Sequence, residues 1–141
     1  MEQSDELRDL TKRFYEAAAT GDLSFFDRHV SHQEGVVFVG TDPDEWWESF
    51  EALREAMRAQ SEAMGGMQIV PGELQAYREG NVGWVVDRRD ASFRLPEGTQ
   101  IPFRSTVVFC REDGEWRVVH IHSSIGVRNE EMFGEDITAS S

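Results

Sequence analysis

The 141-residue chain contains one cysteine, Cys110, one lysine, Lys12, and four prolines. A single thiol excludes an internal disulfide and suits a reducing compartment. No apolar run approaches the ~20 residues a membrane-crossing helix needs. The opening Met1-Glu2-Gln3-Ser4-Asp5-Glu6 lacks the basic and apolar regions of a secretion signal. A soluble, cytoplasmic protein is the expectation. Positive charge is also scarce: 14 bases face 27 acids, giving a net charge of −13. Such a field repels phosphate backbones and anionic lipid, so neither nucleic acid nor a membrane is expected as a partner. There is no glycine-rich phosphate loop and no nucleophile elbow. His120-x-His122 and His29-x-x-His32 bring no converging carboxylates, so neither a metal nor a cofactor is expected.

Composition is otherwise that of a globular chain, with 39% hydrophobic residues. Repeats, low-complexity blocks and linkers are missing. A single domain over 1–134 with a polar tail at 135–141 is therefore expected. Leu7, Leu10, Phe14 and Ala17/Ala18 recur at helical spacing up to a Gly21 cap. Leu23, Phe26 and Val30 suggest a shorter second helix, and Val36–Val39 a short strand. Asp42-Pro43-Asp44-Glu45 has the chemistry of a helix start. Trp46, Phe50, Leu53, Met57 and Met64 would then form the core stripe of a third helix, ended by Gly65-Gly66.

Beyond Met67 the pattern changes to strands, at about 67–78, 82–95, 101–111 and 115–125. They are separated by Glu79-Gly80-Asn81, Pro96-Glu97-Gly98-Thr99 and Asp113-Gly114. Helices first and a strand meander afterwards predict an α+β fold, with N-terminal helices packed on a curved, mostly antiparallel sheet.

This order, together with Gly40-Thr-Asp-Pro-Asp-Glu-Trp-Trp47, Val82-Gly-Trp-Val-Val-Asp87, Arg104-Ser-Thr106 and Trp116-Arg-Val-Val-His-Ile-His-Ser-Ser124, resembles a SnoaL-like member of the nuclear transport factor 2-like superfamily. Ketosteroid isomerases share that fold. The last segment also resembles the association domain of calmodulin-dependent kinases. The resemblance implies a conical α+β barrel, a pocket between sheet and helices, and homodimers paired through the sheet. It does not imply steroid isomerisation. Phe14 stands where that chemistry has a tyrosine, with Tyr15 turned by about 100° from it. The base position falls near Val39 and that of the protonated acid near Thr106.

The last strand supplies the candidate chemistry. At period two, Trp116, Val118, His120, His122 and Ser124 share one face. His122 is the candidate acid/base. Arg104 and Thr106 would stabilise developing negative charge, with Asp87 orienting Arg104. A purely structural Arg104–Asp87 ion pair is the alternative for those two. Trp47, Trp84, Tyr15, His120 and Ser124 complete the candidate ligand contacts, Trp47 as a roof; core packing is the alternative for Trp84. The expected function is binding of a small apolar molecule carrying a polar or acidic group. Any reaction would be a cofactor-free isomerisation, cyclisation or dehydration. The alternative is a non-catalytic dimerisation or assembly domain.

Overall fold

The Ser4 hydroxyl accepts from the Leu7 N–H at 3.2 Å and caps the first helix, α1 (Asp5–Thr20). Gly21, at φ 75°, ends it by donating its N–H to the Ala17 carbonyl, because a left-handed C-cap suits a residue without Cβ. This computed structural model describes residues 1–65 and 67–135. The polar tail expected at 135–141 lies, beyond Glu135, outside the described residues. Asp22 caps α2 (Leu23–His29), and Ser49 caps α3 (Phe50–Ala63). A short α4 (Asn129–Phe133) follows the last strand.

The strands are β1 (Glu2–Gln3), β2 (Val37–Val39), β3 (Trp46–Trp47), β4 (Gln68–Val70), β5 (Leu74–Glu79), β6 (Val82–Asp87), β7 (Ser92–Arg94), β8 (Gln100–Glu112) and β9 (Glu115–Ile125). Their order is β1-β5-β6-β8-β9-β2-β3, with β7 joining β8 and β4 joining β7. All of these pairs are antiparallel except β2 with β9. The sheet does not close on itself, and the helices complete the cone. This is the expected α+β architecture.

The expected third helix starts later than Asp42-Pro43. The Asp42 N–H does donate to Glu45 Oε1 at 2.8 Å, and the Asp44 N–H to Asp42 Oδ1 at 2.9 Å. These cap-like bonds close a turn instead, and β3 pairs back onto β2, Val39 opposite Trp46 and Phe38 opposite Trp47. Two adjacent indoles fit a pleated surface better than the first turn of a helix. Trp46 is therefore 59% exposed rather than on a core stripe, and Met64 is exposed as well.

The inner face of β8 is Phe103, Ser105, Val107 and Phe109, all buried. Along β9 the inner residues are first Trp116 and Val118 and then Ile121, Ser123 and Ile125. The change of parity has a local cause. Phe109 pairs with Val118 but Val108 pairs with His120, so Val119 is an extra residue in a β-bulge. One inserted residue sends every later side chain to the opposite face. Phe26, Phe38, Phe109, Val118 and Leu7 lie at the centre of the core, each at most 1% exposed. Burying one such side chain stabilises the fold by about 1.5–3 kcal/mol.

Candidate ligand cavity

Between α1, α3 and the inner face of the sheet lies a cavity of about 140 Å³. Its walls are mainly apolar: Phe14 from α1, Leu53 and Met57 from α3, Val107 and Ile121 from the sheet. Phe93 stacks on Phe103 at 4.5 Å between centroids, and Tyr15 meets Phe103 edge-on at 5.8 Å. Trp47, paired beside inward-facing Phe38, contributes an indole to the wall. Near the solvent end are Thr41, Glu45, Gln60 and Ser61. Gln60 Nε2 donates to Glu45 Oε2 and links α3 to the β2–β3 turn.

The buried end carries a run of polar groups. Ser123 Oγ lies 3.1 Å from Ser105 Oγ across the β8–β9 pair. Ser105 and Tyr15 both line this end of the cavity. The Tyr15 hydroxyl donates to Asp87 Oδ2 at 2.9 Å. Gly72, in the gap between β4 and β5, donates its backbone N–H to Asp87 Oδ1 at 3.1 Å and to Oδ2 at 3.3 Å. Tyr15, Ser105 and Asp87 are 5%, 4% and 3% exposed, so water does not satisfy them and these mutual bonds do. Burial pushes the Asp87 carboxyl up from the usual carboxylate range, while the bonds from Tyr15 and Gly72 pull it back. The Tyr15 phenol is raised far above its ordinary value, first by burial and then by the adjacent Asp87 carboxylate. It stays protonated and acts as a donor.

Of the sequence-predicted residues, Tyr15 and Trp47 line this cavity and Asp87 sits directly behind Tyr15. The others do not reach it. Arg104, Thr106, His120, His122 and Ser124 pair side by side on the outer face, Arg104 opposite Ser124, Thr106 opposite His122 and Val108 opposite His120. The extra residue at Val119 turned His120, His122 and Ser124 outward. His122 and Arg104 are exposed, and the His120 Nδ1–H donates to the Val37 carbonyl at 2.7 Å. No Arg104–Asp87 pair forms, because adjacent β8 residues face opposite ways: Ser105, not Arg104, is on the Asp87 side. Trp84 is also on the outer face, beside Tyr77 at 6.3 Å, rather than in the core. Among the described residues, no three His, Cys, Asp or Glu side chains converge as a metal site would require.

Ser105, Ser123, Glu45 and Gln60 escaped sequence reasoning. Ser105 had a usable signal, since it alternates with Phe103, Val107 and Phe109, the more apolar of the two β8 faces. Ser123 had none, because its face depends on the bulge. Glu45 looked like a capping residue, and it does make that bond.

No curated protein matches the sequence. Solved structures do. A nuclear transport factor 2-like protein of unknown function from Pseudomonas putida superposes with a TM-score of 0.77 at 16% identity, covering 99% of this chain and 100% of that one. A provisionally named dehydratase of the nuclear transport factor 2-like family from Streptomyces avermitilis gives 0.72 at 14%, over 87% and 95%. A provisionally named calcium/calmodulin-dependent protein kinase II association domain from Xanthomonas campestris gives 0.68 at 20%, over 86% of each chain. At these identities the likeness establishes the shared cone fold and nothing finer. The family of SnoaL-like domains matches residues 7–128, and the chain belongs to it.

Proposed function

We propose that the protein binds a small, largely apolar molecule in its conical cavity and catalyses a cofactor-free proton transfer on it: an isomerisation, cyclisation or dehydration. One observation carries this reading. The hydroxyls of Tyr15, Ser105 and Ser123, with the buried Asp87 carboxylate behind Tyr15, border a mainly apolar cavity. In a low-dielectric wall, positioned polar groups act more strongly than in water. The Ser123–Ser105–Tyr15 end would hold the substrate oxygen. Glu45, the carboxylate that lines the cavity, would take or return the proton. The acid/base role expected for His122 passes to it. The dehydratase name of the Streptomyces neighbour supports the reaction class only by analogy of fold. The single thiol suits a reducing cytoplasm, where we place the protein.

Native mass spectrometry of the purified protein, with denaturing spectra as control, tests the binding step. A reproducible extra mass that leaves on denaturation is expected and identifies the molecule. Glu45→Gln should then retain binding of that molecule and lose turnover. A protein that arrives empty and takes up no small apolar compound overturns the reading.

A second reading has its own observation. The outer face presents Tyr77, Trp84, Val86 and Val108 half-exposed on adjoining strands. We propose that a second copy covers them, giving a homodimer through the sheet. If the cavity proves inert, this face makes the protein a non-catalytic assembly domain. The kinase association domain among its structural neighbours supports that alternative, again by fold.

A further inference from the structure

Glu45 and Trp47 line the cavity, while Trp46 between them is 59% exposed. The alternation leading into β3 therefore turns a carboxylate and an indole to the same side. Gly40 fixes the first of them. Its N–H donates to the Glu45 carbonyl at 2.8 Å. A Cβ on Gly40 would lie 2.7 Å from Glu45 Cβ and 2.9 Å from its carboxyl carbon, so the Glu45 side chain packs directly on the Gly40 backbone.

The partners of that carboxylate are all neutral. Oε1 accepts from the Asp42 N–H at 2.8 Å and from Thr41 Oγ1 at 3.4 Å, and Oε2 accepts from Gln60 Nε2 at 2.5 Å. A carboxylate offers about four acceptor positions, which leaves one on Oε2 for a further donor. Among the described residues no arginine, lysine or histidine pairs with Glu45 or lines the cavity. The residues outside them, Gly66 and 136–141, include none of the three types. A bound carboxylate or phosphate would meet Glu45 with no cation to pair with, and burial of such a charge is strongly unfavourable. This reverses the sequence-based expectation, in which an acidic group was held by Arg104.

We propose that the cavity takes a small organic cation, a protonated amine on an apolar body the size of a single ring. The ammonium donates to Glu45 Oε2 at the solvent end and sits against the Trp47 indole. Indole attracts ammonium groups more strongly than the other aromatic side chains do, and an N–H donor that carries charge makes the stronger bond to a carboxylate. The net charge of −13 raises the local concentration of cations as well. The size follows from volume: an apolar cavity of roughly 150 Å³ holds benzene, against about 140 Å³ here. The Ser105–Ser123 end stays free for the substrate oxygen. This inference deepens the functional reading above and rests on the cavity being a ligand site; it does not require Glu45 to move a proton.

Four probes separate the two claims: benzylamine, benzyl alcohol, toluene and benzoate, titrated by calorimetry or NMR at about pH 7, well below the ~10.4 of an alkylamine such as lysine. Benzylamine should bind about threefold to tenfold more tightly than benzyl alcohol, which has its shape and a neutral donor. Benzoate should not bind. Saturating toluene should displace benzylamine, which separates the cavity from the acidic surface. Glu45→Gln, at a half-exposed position, keeps the apolar wall; benzylamine should stay bound but fall to the benzyl alcohol level. Raising potassium chloride from about 20 to about 500 mM should erode the preference in the wild type and leave toluene unchanged. The salt series carries the test if Glu45→Gln does not fold. Equal binding of benzylamine, benzyl alcohol and toluene overturns the cation selection and keeps the cavity. A benzylamine preference that survives Glu45→Gln or high salt, benzylamine that toluene does not displace, or benzoate binding as tight as benzylamine also overturns it. Failure of all four to bind overturns both claims.

Discussion

The Tyr15 hydroxyl donates to Asp87 Oδ2 at 2.9 Å, joining the first helix to the end of β6 through a carboxylate that is 3% exposed. Among the described residues no arginine or lysine pairs with Asp87; its partners are a phenol and a backbone amide. Such a carboxylate makes stability depend on pH in a direction opposite to that of an ordinary salt bridge.

Because burial raises Asp87 above its unfolded value, the native state holds that proton to higher pH than the unfolded chain does. The contribution to stability is complete below the unfolded value, near 3.9, and is lost as pH rises through the native titration point. Urea unfolding of wild type and Asp87→Asn across this window should show the wild type losing ground to the variant as pH rises. A difference that stays flat or grows with pH would contradict the assignment.

Gly72 admits no side chain. A Cβ there would lie 1.7 Å from the Arg89 carbonyl oxygen, a backbone atom that cannot swing aside. Gly72→Ala should therefore displace the Gly72 N–H from Asp87 and cost about 2 kcal/mol or more. Gly65→Ala, which meets nothing within 4 Å, is the control and should be close to neutral. Comparable melting temperatures for the two variants would refute the close approach.

His122→Ala and Arg104→Ala should each shift stability by no more than about 0.5 kcal/mol, as exposed substitutions away from special features do. Neither should change the affinity of any cavity ligand. Loss of ligand binding in either variant, at an unchanged melting temperature, would restore the site read from the strand alternation alone.

Trp84→Glu places a charge on the half-exposed apolar face of the sheet. If a second copy covers that face, light scattering after size exclusion should record a dimer for wild type and a monomer for the variant, with similar far-UV dichroism. The same mass for both would remove the outer face as the interface.

Local signals in the sequence carried most of the architecture. The Gly21 cap, the Asp113-Gly114 turn and the apolar spacing of α1 each act over a few residues, and each appears in the structure where expected. The start of the third helix was misplaced because Asp42-Pro43-Asp44-Glu45 makes cap-like bonds in a turn as readily as in a helix; only pairing with β2 decides between them. The site failed for a longer-range reason. Period-two reading assumes an unbroken ladder, and the bulge at Val119 is a property of how β9 meets β8, not of either strand alone. Tyr15 and Asp87 were both singled out, yet their mutual bond spans 72 residues and no spacing rule predicts it.

The bulge also sets how this strand can be compared with others. Trp116–Val118 and His120–Ile125 obey opposite parities, so a relative lacking the extra residue must be aligned with a gap at Val119. Without that gap His122 would be matched with a wall residue of the relative and Ser123 with a surface one, and substitutions that leave the cavity untouched would read as changes of specificity.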